Sequence, residues 1–196
     1  MTKTLLILDL DETLIHATEV PLPDLTPDLV LWKQYYVYKR PFLEEFIQIC
    51  QQYFELAVWS SASSDYVNKI VKAVFPKDIP LAFVWSRKKC TYTTYPINYL
   101  EASGLAYDHY SLPRVWFKKL EKVKKLGYAL SKILIVDNSP EKLFYNYGNA
   151  IYVDDFVGDT NDQELMLLSK YLPTLHAVDN VRVLEKRGWK TTVNKE

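Results

Sequence analysis

Three short apolar runs, each followed directly by a polar residue, most strongly constrain how this chain can fold. The runs and their polar ends are residues 4–8 with Asp9, 55–59 with Ser60, and 132–136 with Asp137. Continuous apolar runs of this length are typical of strands that are buried on both faces of a parallel sheet. Because parallel strands end at the same edge of their sheet, we expect the three polar ends to meet in one crevice.

The segments between these strands show the patterns of helices and further strands. Apolar residues at helical spacing predict helices over residues 42–53 and 66–75, and aromatic and β-branched residues over 29–39 predict a hairpin. Later elements are also predicted: a basic amphipathic helix over 118–126, a strand over 150–153, a helix over 163–171 and a segment near 181–184. This alternation predicts an α/β fold, a Rossmann-like doubly wound parallel sheet.

One segment breaks the alternation. Residues 80–113 are irregular and rich in aromatic residues, and we predict that they form a small β-rich cap inserted over one end of the sheet. A chain of 196 residues has the length of one domain, so residues 1–196 are assigned to a single domain with this cap. The 15 tyrosines are expected at half-buried strand positions, with a substrate groove as the alternative.

Charge and cysteine content exclude several kinds of protein. Lys and Arg balance Asp and Glu at 24 each, which argues against a nucleic-acid partner, because binding to phosphate backbones depends on excess positive charge. Cys50 and Cys90 lack the spacing of a zinc site or a disulfide framework, so we expect two buried free thiols. No leader pattern or long apolar stretch is present, which predicts a soluble, cytoplasmic protein without a membrane partner. The oligomeric state is not indicated.

The crevice would contain three carboxylates, those of Asp9, Asp11 and Asp137. An oxygen cluster of this kind suits Mg²⁺, which commonly shares its coordination shell with a substrate phosphate. If all three were ionised, their charge of −3 would repel a phosphate dianion. One Mg²⁺ ion and one lysine would neutralise the site, and Lys118 is well placed to be that lysine.

The same residues suit covalent phosphoryl transfer. A metal-bound carboxylate can attack phosphorus, a second carboxylic acid can protonate the leaving alcohol, and Asp9 and Asp11 fit these roles in that order. The Ser60 hydroxyl and the backbone N–H groups near it can donate to phosphate oxygens. Structural roles are the alternatives: Asp11 and Thr13 also suit a turn or helix cap, and Lys118 also suits a solvated helix surface.

The order of the motifs resembles that of a known superfamily, the haloacid dehalogenase (HAD) superfamily. More narrowly, the chain resembles the C-terminal-domain phosphatases, also called the NLI-interacting-factor-like family. The segments concerned are LLILDLDETLIHA, KRPFLEEF, VWSSAS, FKKL, ILIVDNSPEKL with NAIYV, FVGDTNDQELMLL and VDNVRVL, which together span nearly the whole chain. The first motif and DNSP are highly specific, whereas the serine and lysine motifs are weak by themselves. The resemblance implies a HAD-like fold.

The resemblance also implies roles for individual residues. Asp9 would be the phosphorylated nucleophile and Asp11 the general acid/base. Mg²⁺ would be bound by Asp9, by the backbone carbonyl of Asp11, and by the pair Asp137 and Asn138. Ser60 would bind the phosphoryl group.

Lys118 would bind the phosphoryl group with Ser60, although Lys119 is adjacent and is the alternative lysine. Arg87 matches a family arginine that helps to position substrate, and packing over the cap is its alternative role. Thr13 and Ser61 complete the predicted substrate-binding set.

The sequence therefore predicts a Mg²⁺-dependent phosphatase that forms an aspartyl-phosphate and acts on phosphoserine or phosphothreonine in proteins. One alternative substrate is a small phosphorylated metabolite, and another is a nucleic-acid 3′-phosphate end. A further alternative is a non-catalytic protein-binding module. Such a module could lose Asp9 or Asp11 without penalty, and the presence of both favours an enzyme.

Overall fold

The computed structural model describes residues 3–97, 100 and 112–193, and its strands form three sheets. The strands are β1 Thr4–Leu8, β2 Ile15–Thr18, β3 Leu29–Leu31, β4 Tyr35–Lys39, β5 Phe54–Trp59, β6 Leu81–Trp85, β7 Thr91–Thr94, β8 Arg114–Phe117, β9 Ile133–Asp137 and β10 Ala150–Tyr152. The central sheet has the order β10-β9-β1-β5-β6, and all of its pairings are parallel. The predicted parallel α/β sheet is confirmed.

Helices connect the strands of the central sheet. Those with described bounds are α1 Leu43–Tyr53, α2 Ser64–Val74, α3 Glu121–Lys124, α4 Glu164–Tyr171 and α5 Trp189–Val193. Short 3₁₀ helices are Arg87–Lys89, Leu130–Lys132, Pro140–Asn149, Leu172–Leu175 and Val181–Val183. None of the helices in the described ranges is long and apolar enough to cross a membrane.

Both faces of the central sheet are covered, which explains why its strands lack polar alternation. On β1, Leu6 and Leu8 face a large core that contains buried residues of α1, α2 and α4. Leu5 and Ile7 point to the opposite face, where Leu120, Val123 and Leu143 cover them. This arrangement gives the three layers of a doubly wound fold, and it buries every residue of β1.

Two small antiparallel sheets are added to this framework. The first, with order β2-β4-β3, lies in the chain between β1 and α1, and it confirms the hairpin predicted over residues 29–39. Its tight turn places Trp32 and Lys33 at φ values of 51° and 58°, in the left-handed region. The second sheet pairs β7 with β8.

Two sequence predictions differ from the structure in this region. The helix predicted over 118–126 is wrong at its start, because only Glu121–Lys124 is α-helical and Lys118 directly follows β8. The Lys118 amide donates to the carbonyl of Lys142 at 2.8 Å, so this backbone is held by the 3₁₀ segment after β9. The segment predicted as a cap begins with Leu81–Trp85, which is an edge strand of the central sheet.

The single-domain assignment and the extent of the cap stay predictions. Part of the predicted cap, residues 98–99 and 101–111, lies outside the described residues, and so do Tyr99, Tyr107 and Tyr110. The expectation for the cysteines is confirmed, since Cys50 and Cys90 are both buried and unpaired.

Candidate active site

The polar ends of β1, β5 and β9 lie side by side, as the sequence predicts. Leu8 of β1 is in register with Val58 on one side and Val136 on the other. The next amide, that of Asp9, donates to the carbonyl of Val136 at 3.0 Å. Asp9, Ser60 and Asp137 therefore end three neighbouring strands at one edge of the sheet.

Lys118 lies between the two buried carboxylates of this crevice. Its Nζ is 2.8 Å from Asp9 Oδ1 and 2.6 Å from Asp137 Oδ2, and all three side chains are almost completely buried. A second cation, Lys142, is 3.9 Å from Asp9 Oδ2 and is partly exposed. Lys119 takes no part in the cluster, because its ammonium lies 4.2 Å from the ring centre of Tyr145. The geometry therefore distinguishes the two adjacent lysines.

The charges in this cluster shift the pKa of each member. Burial favours the neutral form of Asp9, but the positive charges of Lys118 and Lys142 outweigh it and lower the pKa of Asp9. Burial, followed by the negative charge of Asp9, raises the pKa of Asp137. Burial would lower the pKa of Lys118, but the charges of Asp137 and Asp9 reverse this effect and raise it. Lys118 is therefore an ammonium ion shared by two carboxyl groups.

Asp11 faces away from this cluster, although it is only two residues from Asp9. Its carboxylate accepts hydrogen bonds from the Tyr66 hydroxyl at 2.5 Å and from Ser60 Oγ at 3.3 Å. Burial raises the pKa of Asp11, the Tyr66 hydrogen bond opposes the rise, and the charge of Asp9 adds to it. The two aspartates of the first motif therefore occupy different environments, one paired with ammonium groups and the other with hydroxyl groups.

Thr13 and Asn138 join the first motif to the DNSP motif. The Thr13 hydroxyl donates to Asn138 Oδ1 at 3.3 Å and accepts from the Asn138 amide at 3.2 Å. The Asn138 side chain also donates to Asp155 at 2.8 Å. Thr13 is completely buried, so its contacts are those of a residue that fixes the loop.

The serines and Arg87 lie where β5 leads into α2. Ser60 Oγ accepts a hydrogen bond from the Ala62 amide at 3.0 Å, and Arg87 Nε donates to the Ser61 carbonyl at 2.6 Å. Ser61 therefore contacts Arg87 through its main-chain oxygen and not through its hydroxyl. The helix α2 begins at Ser64, a few residues beyond the predicted phosphate-binding serine.

An open cleft of about 390 Å³ adjoins Asp11. Its lining is mainly aromatic and charged, with Asp11, Glu12, Trp32, Tyr35, Tyr66 and Arg87 among the residues that form it. Burial, followed by the charges of Asp11 and Asp9, raises the pKa of Glu12 to about 7. Trp32 remains 49% exposed at the rim, so the cleft is open to solvent.

Sequence reasoning missed several residues of this site. Tyr66 had a usable signal, because it lies in the first turn of the helix that follows the Ser60 strand, and a first turn faces the strand ends. Lys142 had a similar position in the 3₁₀ segment after Asp137. Trp32 and Tyr35 have no such signal. They belong to the β3–β4 hairpin of a separate small sheet, and the sequence does not indicate where that sheet lies relative to the site.

Two of the predicted Mg²⁺ ligands, Asp9 and Asp137, lie together in the crevice with Lys118 between them. Asp9 forms ion pairs with Lys118 and Lys142. In the described part of the chain, neither of its two buried carboxylate oxygens accepts a hydrogen bond of standard geometry. Across residues 3–97, 100 and 112–193, no three Asp, Glu, His or Cys side chains form a metal-binding group. Asp9 and Asp137 nevertheless supply two carboxylates, which suits Mg²⁺ because this ion usually keeps several water ligands.

The fold and these strand-end residues define a doubly wound α/β protein with acidic and basic side chains clustered at the carboxyl edge of its sheet, and the comparisons identify its family. The NLI interacting factor-like phosphatase family matches residues 4–182. This chain belongs to that family. The chain is 31% identical over 185 residues to CTD small phosphatase-like protein 2 of Dictyostelium discoideum, covering 92% of this chain and 29% of that protein.

A human relative and a solved structure extend the comparison. CTD small phosphatase-like protein of Homo sapiens is 27% identical over 186 residues, covering 91% of this chain and 58% of that protein. The structure of the fission yeast RNA polymerase II CTD phosphatase Fcp1 bound to beryllium fluoride matches with a TM-score of 0.56 at 16% identity. It covers 98% of this chain and 51% of the Fcp1 chain, and at this identity it supports the fold alone. The chain spans less than two thirds of each of these proteins.

Proposed function

We propose that this chain is a Mg²⁺-dependent phosphomonoester hydrolase that acts on phosphoserine or phosphothreonine in proteins through an aspartyl-phosphate. The observation that supports this proposal most directly is the state of Asp9. Its carboxylate is buried at the end of the central strand, 2.8 Å from the ammonium of Lys118 and 3.9 Å from that of Lys142, and these charges lower its pKa. Such a carboxylate is oriented but still able to react.

The two aspartates divide the chemistry of the proposed reaction. A carboxylate oxygen of Asp9 attacks phosphorus, and the bond from phosphorus to the substrate oxygen breaks. Asp11 donates its proton to that leaving oxygen and then takes a proton from the water that attacks the aspartyl-phosphate. This second step releases inorganic phosphate and restores both aspartates.

Cations neutralise the phosphoryl group during these steps. Lys118 holds Asp9 in place, with its Nζ 2.8 Å from Asp9 Oδ1, and offers positive charge beside the attacking carboxylate. Ser60 lies between Asp11 and the start of α2, where its hydroxyl can donate to a phosphoryl oxygen. When bound by Asp9 and Asp137, Mg²⁺ would supply further positive charge for the phosphate.

Two observations support a protein substrate. The cleft beside Asp11 is open and aromatic, which suits a side chain presented by a polypeptide better than a small polar metabolite. Several relatives are CTD small phosphatase-like proteins, and Fcp1, a structural neighbour, is an RNA polymerase II CTD phosphatase.

Hydrolysis assays test this function. We expect the purified chain to hydrolyse an aryl phosphate and phosphoserine peptides with Mg²⁺ present, and EDTA to remove this activity. Asp9→Asn should reduce kcat by about a thousand-fold or more, because the nucleophile is lost. Asp78→Asn makes the same chemical change at an exposed position on another surface, so this variant should keep full activity.

Three results would contradict parts of the proposal. Full activity of Asp9→Asn would exclude the aspartyl-phosphate mechanism. A strong preference for a sugar phosphate, or for an oligonucleotide with a 3′-phosphate, would exclude the protein substrate. Absence of hydrolysis for every phosphate ester, together with retained phosphopeptide binding, would favour the non-catalytic module.

A further inference from the structure

The two-stranded sheet beside the site presents an aromatic and basic face. In the β7–β8 pairing, Tyr92 lies opposite Trp116 and Thr94 lies opposite Arg114. Alternate residues of a strand point to opposite faces, so Tyr92, Trp116 and Arg114 share one face. The neighbouring residue Phe117 points the other way and is completely buried. The outward face of this ribbon is therefore distinct from the core.

Cations and rings alternate along this face. The guanidinium of Arg87 lies 5.4 Å from the ring centre of Trp116, and Trp116 stacks on Tyr92 with 4.4 Å between the centroids. The guanidinium of Arg114 lies 5.3 Å from the Tyr92 ring on the far side of the stack. Contacts of this kind hold an arginine in place without using its N–H groups. Because Arg87 Nε donates to the Ser61 carbonyl, its terminal N–H groups are the ones that can bind an anion.

We name this surface the basic ribbon and define it as Arg87, Lys88, Tyr92, Arg114 and Trp116. Its three cations are exposed, and within the described ranges none of them forms an ion pair with a carboxylate. The chain as a whole has no net charge, so the ribbon is a local concentration of positive charge. An unneutralised patch of this kind favours an anionic partner.

Further lysines extend the positive charge along one side of the basic ribbon. Lys122 Nζ donates to the carbonyl of Lys89 at 2.7 Å, which joins α3 to the 3₁₀ turn that contains Arg87 and Lys88. Burial lowers the pKa of Lys122, and the like charges of Lys119 and Lys89 lower it further. These lysines therefore share one electrostatic neighbourhood.

The basic ribbon is continuous with the cleft beside Asp11. A second cleft, of about 330 Å³, lies between the start of α2 and the ribbon and is lined in part by Arg87, Lys88 and Trp116. Arg87 and Ser63 line both clefts. A chain bound at Asp11 can thus continue past Arg87 onto the ribbon without leaving the surface.

We propose that the basic ribbon binds acidic residues that flank the phosphorylated residue of a protein substrate. This inference rests on the proposed function and specifies its substrate class. A peptide is favoured over a nucleic acid because the patch is short and the balanced overall charge provides no long-range attraction for a polyanion. Carboxylates match the planar N–H arrangement of Arg87 and Arg114.

Two matched phosphopeptides test this inference by activity. One has phosphoserine flanked by aspartates, and the other has asparagines in their place. With wild-type protein at low salt, we expect the acidic peptide to have a kcat/KM roughly five-fold higher, mainly through KM. The double variant Lys88→Gln/Arg114→Gln should lose this preference while its turnover of an aryl phosphate, which has no flanking residues, stays unchanged.

A control variant and a binding measurement complete the experiment. The control variant Lys72→Gln/Lys77→Gln removes two exposed positive charges, one in α2 and one just after it. This variant should keep the preference for the acidic peptide. Fluorescence anisotropy with Asp9→Asn protein measures binding of both labelled peptides without turnover. The acidic peptide should bind roughly five-fold more tightly, and added salt should reduce the difference.

The outcomes separate this inference from the proposed function. Equal kcat/KM and equal affinity for the two peptides would overturn the inference while leaving a protein phosphatase intact. Absence of phosphopeptide hydrolysis would contradict the proposed function, and the anisotropy comparison would still decide the role of the ribbon. Tighter binding of an unphosphorylated single-stranded oligonucleotide than of the acidic peptide would assign the ribbon to nucleic acid and overturn the inference.

Discussion

At the scale of single residues, Lys118 determines how the carboxylates of the site can coexist. Two buried acids at neighbouring strand ends repel each other, and a shared ammonium converts that repulsion into two ion pairs at 2.8 and 2.6 Å. A lysine with no exposed side-chain surface is rare in a folded protein unless it is paired in this way. Lys118 therefore has a structural function as well as a proposed catalytic one.

Replacement of Lys118 tests this dual role. Lys118→Met keeps an apolar side chain of similar length but leaves Asp9 and Asp137 buried without their shared cation. We expect a loss of about 3 kcal/mol in the free energy of unfolding, measured by urea denaturation in metal-free buffer, together with a loss of phosphatase activity. Lys119→Met is the matched control and should change stability by less than about 1 kcal/mol. Equal effects of the two substitutions would contradict the structure.

Some residues of the site could be predicted from the sequence and others could not. Asp9, Ser60 and Asp137 follow apolar runs, so the topology of a parallel sheet already places them together. Charge balance singles out Lys118 as the neutralising lysine, but its contacts have no signal in the sequence, because the pattern around it predicts a helix and not the end of strand β8. The side-chain direction of Asp11 was equally hidden, since it depends on a hydrogen bond from Tyr66 in another element.

At the scale of secondary-structure elements, the hairpin β3–β4 has a strained turn that lies beside the cleft. The Gln34 amide donates to the Leu31 carbonyl at 3.0 Å, and both central residues of this turn have positive φ. Such turns favour Asn and Gly, and a residue with a Cβ atom is destabilised there. This turn carries the exposed Trp32, whose ring lines the cleft with its centre 6.4 Å from that of Tyr66.

Relief of this strain should stabilise the protein. Lys33→Gly removes the Cβ atom at φ 58°, and we expect the free energy of unfolding to rise by about 0.5–1 kcal/mol. The same change in α2, Lys72→Gly, should instead destabilise by about 1 kcal/mol, because glycine is a poor helix former. Thermal unfolding of the two variants measures both effects. Destabilisation by Lys33→Gly would show that the lysine side chain contributes more than its backbone costs.

Prediction of elements succeeded where one physical signal dominated. Buried parallel strands and the helices α1, α2 and α4 have continuous or periodic apolar patterns, and the structure contains each of them. The edge strand β6 escaped prediction because its own aromatic residues, Phe83 and Trp85, make it resemble the irregular aromatic segment that follows, and because it borders only one other strand. Short elements such as α3 depend on tertiary contacts, so their sequences alone do not specify them.

At the scale of the whole molecule, Arg40 connects the first motif to the C-terminal half of the chain. Its completely buried guanidinium donates to the Thr13 carbonyl at 3.0 Å and to both carboxylate oxygens of Asp162, at 2.8 and 2.7 Å. It also lies 5.5 Å from the ring centre of Phe156. The loop that contains Asp11 is thus fixed by a residue that lies far away in the sequence.

This connection should make stability depend on pH. Burial opposes ionisation of Asp162, but the hydrogen bond from Arg40 outweighs it and lowers the pKa of Asp162 below the ordinary 3.8. The contribution of a carboxylate with a lowered pKa is fully present above that ordinary value and is lost as pH falls through the lower folded-state pKa. Asp162→Asn should therefore cost about 3 kcal/mol at neutral pH, and the difference from wild type should shrink below about pH 4.

Urea denaturation of both proteins between neutral and acidic pH measures this difference. Glu185→Gln is the control, because it breaks a solvent-exposed ion pair with Arg187. At neutral pH this variant should have the same free energy of unfolding as wild type. A difference between Asp162→Asn and wild type that stays constant down to the most acidic pH would contradict the proposed linkage.

Because β1 lies at the centre of the sheet, the site around Asp9 is lost only when the core of the protein unfolds. All five residues of β1 are buried, and the strand has a parallel partner on each side, so its amides exchange with solvent only when the sheet separates. Asp9 continues this strand through its own amide bond to Val136. Fraying of the termini or of the small sheets therefore leaves Asp9, the proposed nucleophile, in place, and the proposed catalytic centre persists as long as the cooperative core is folded.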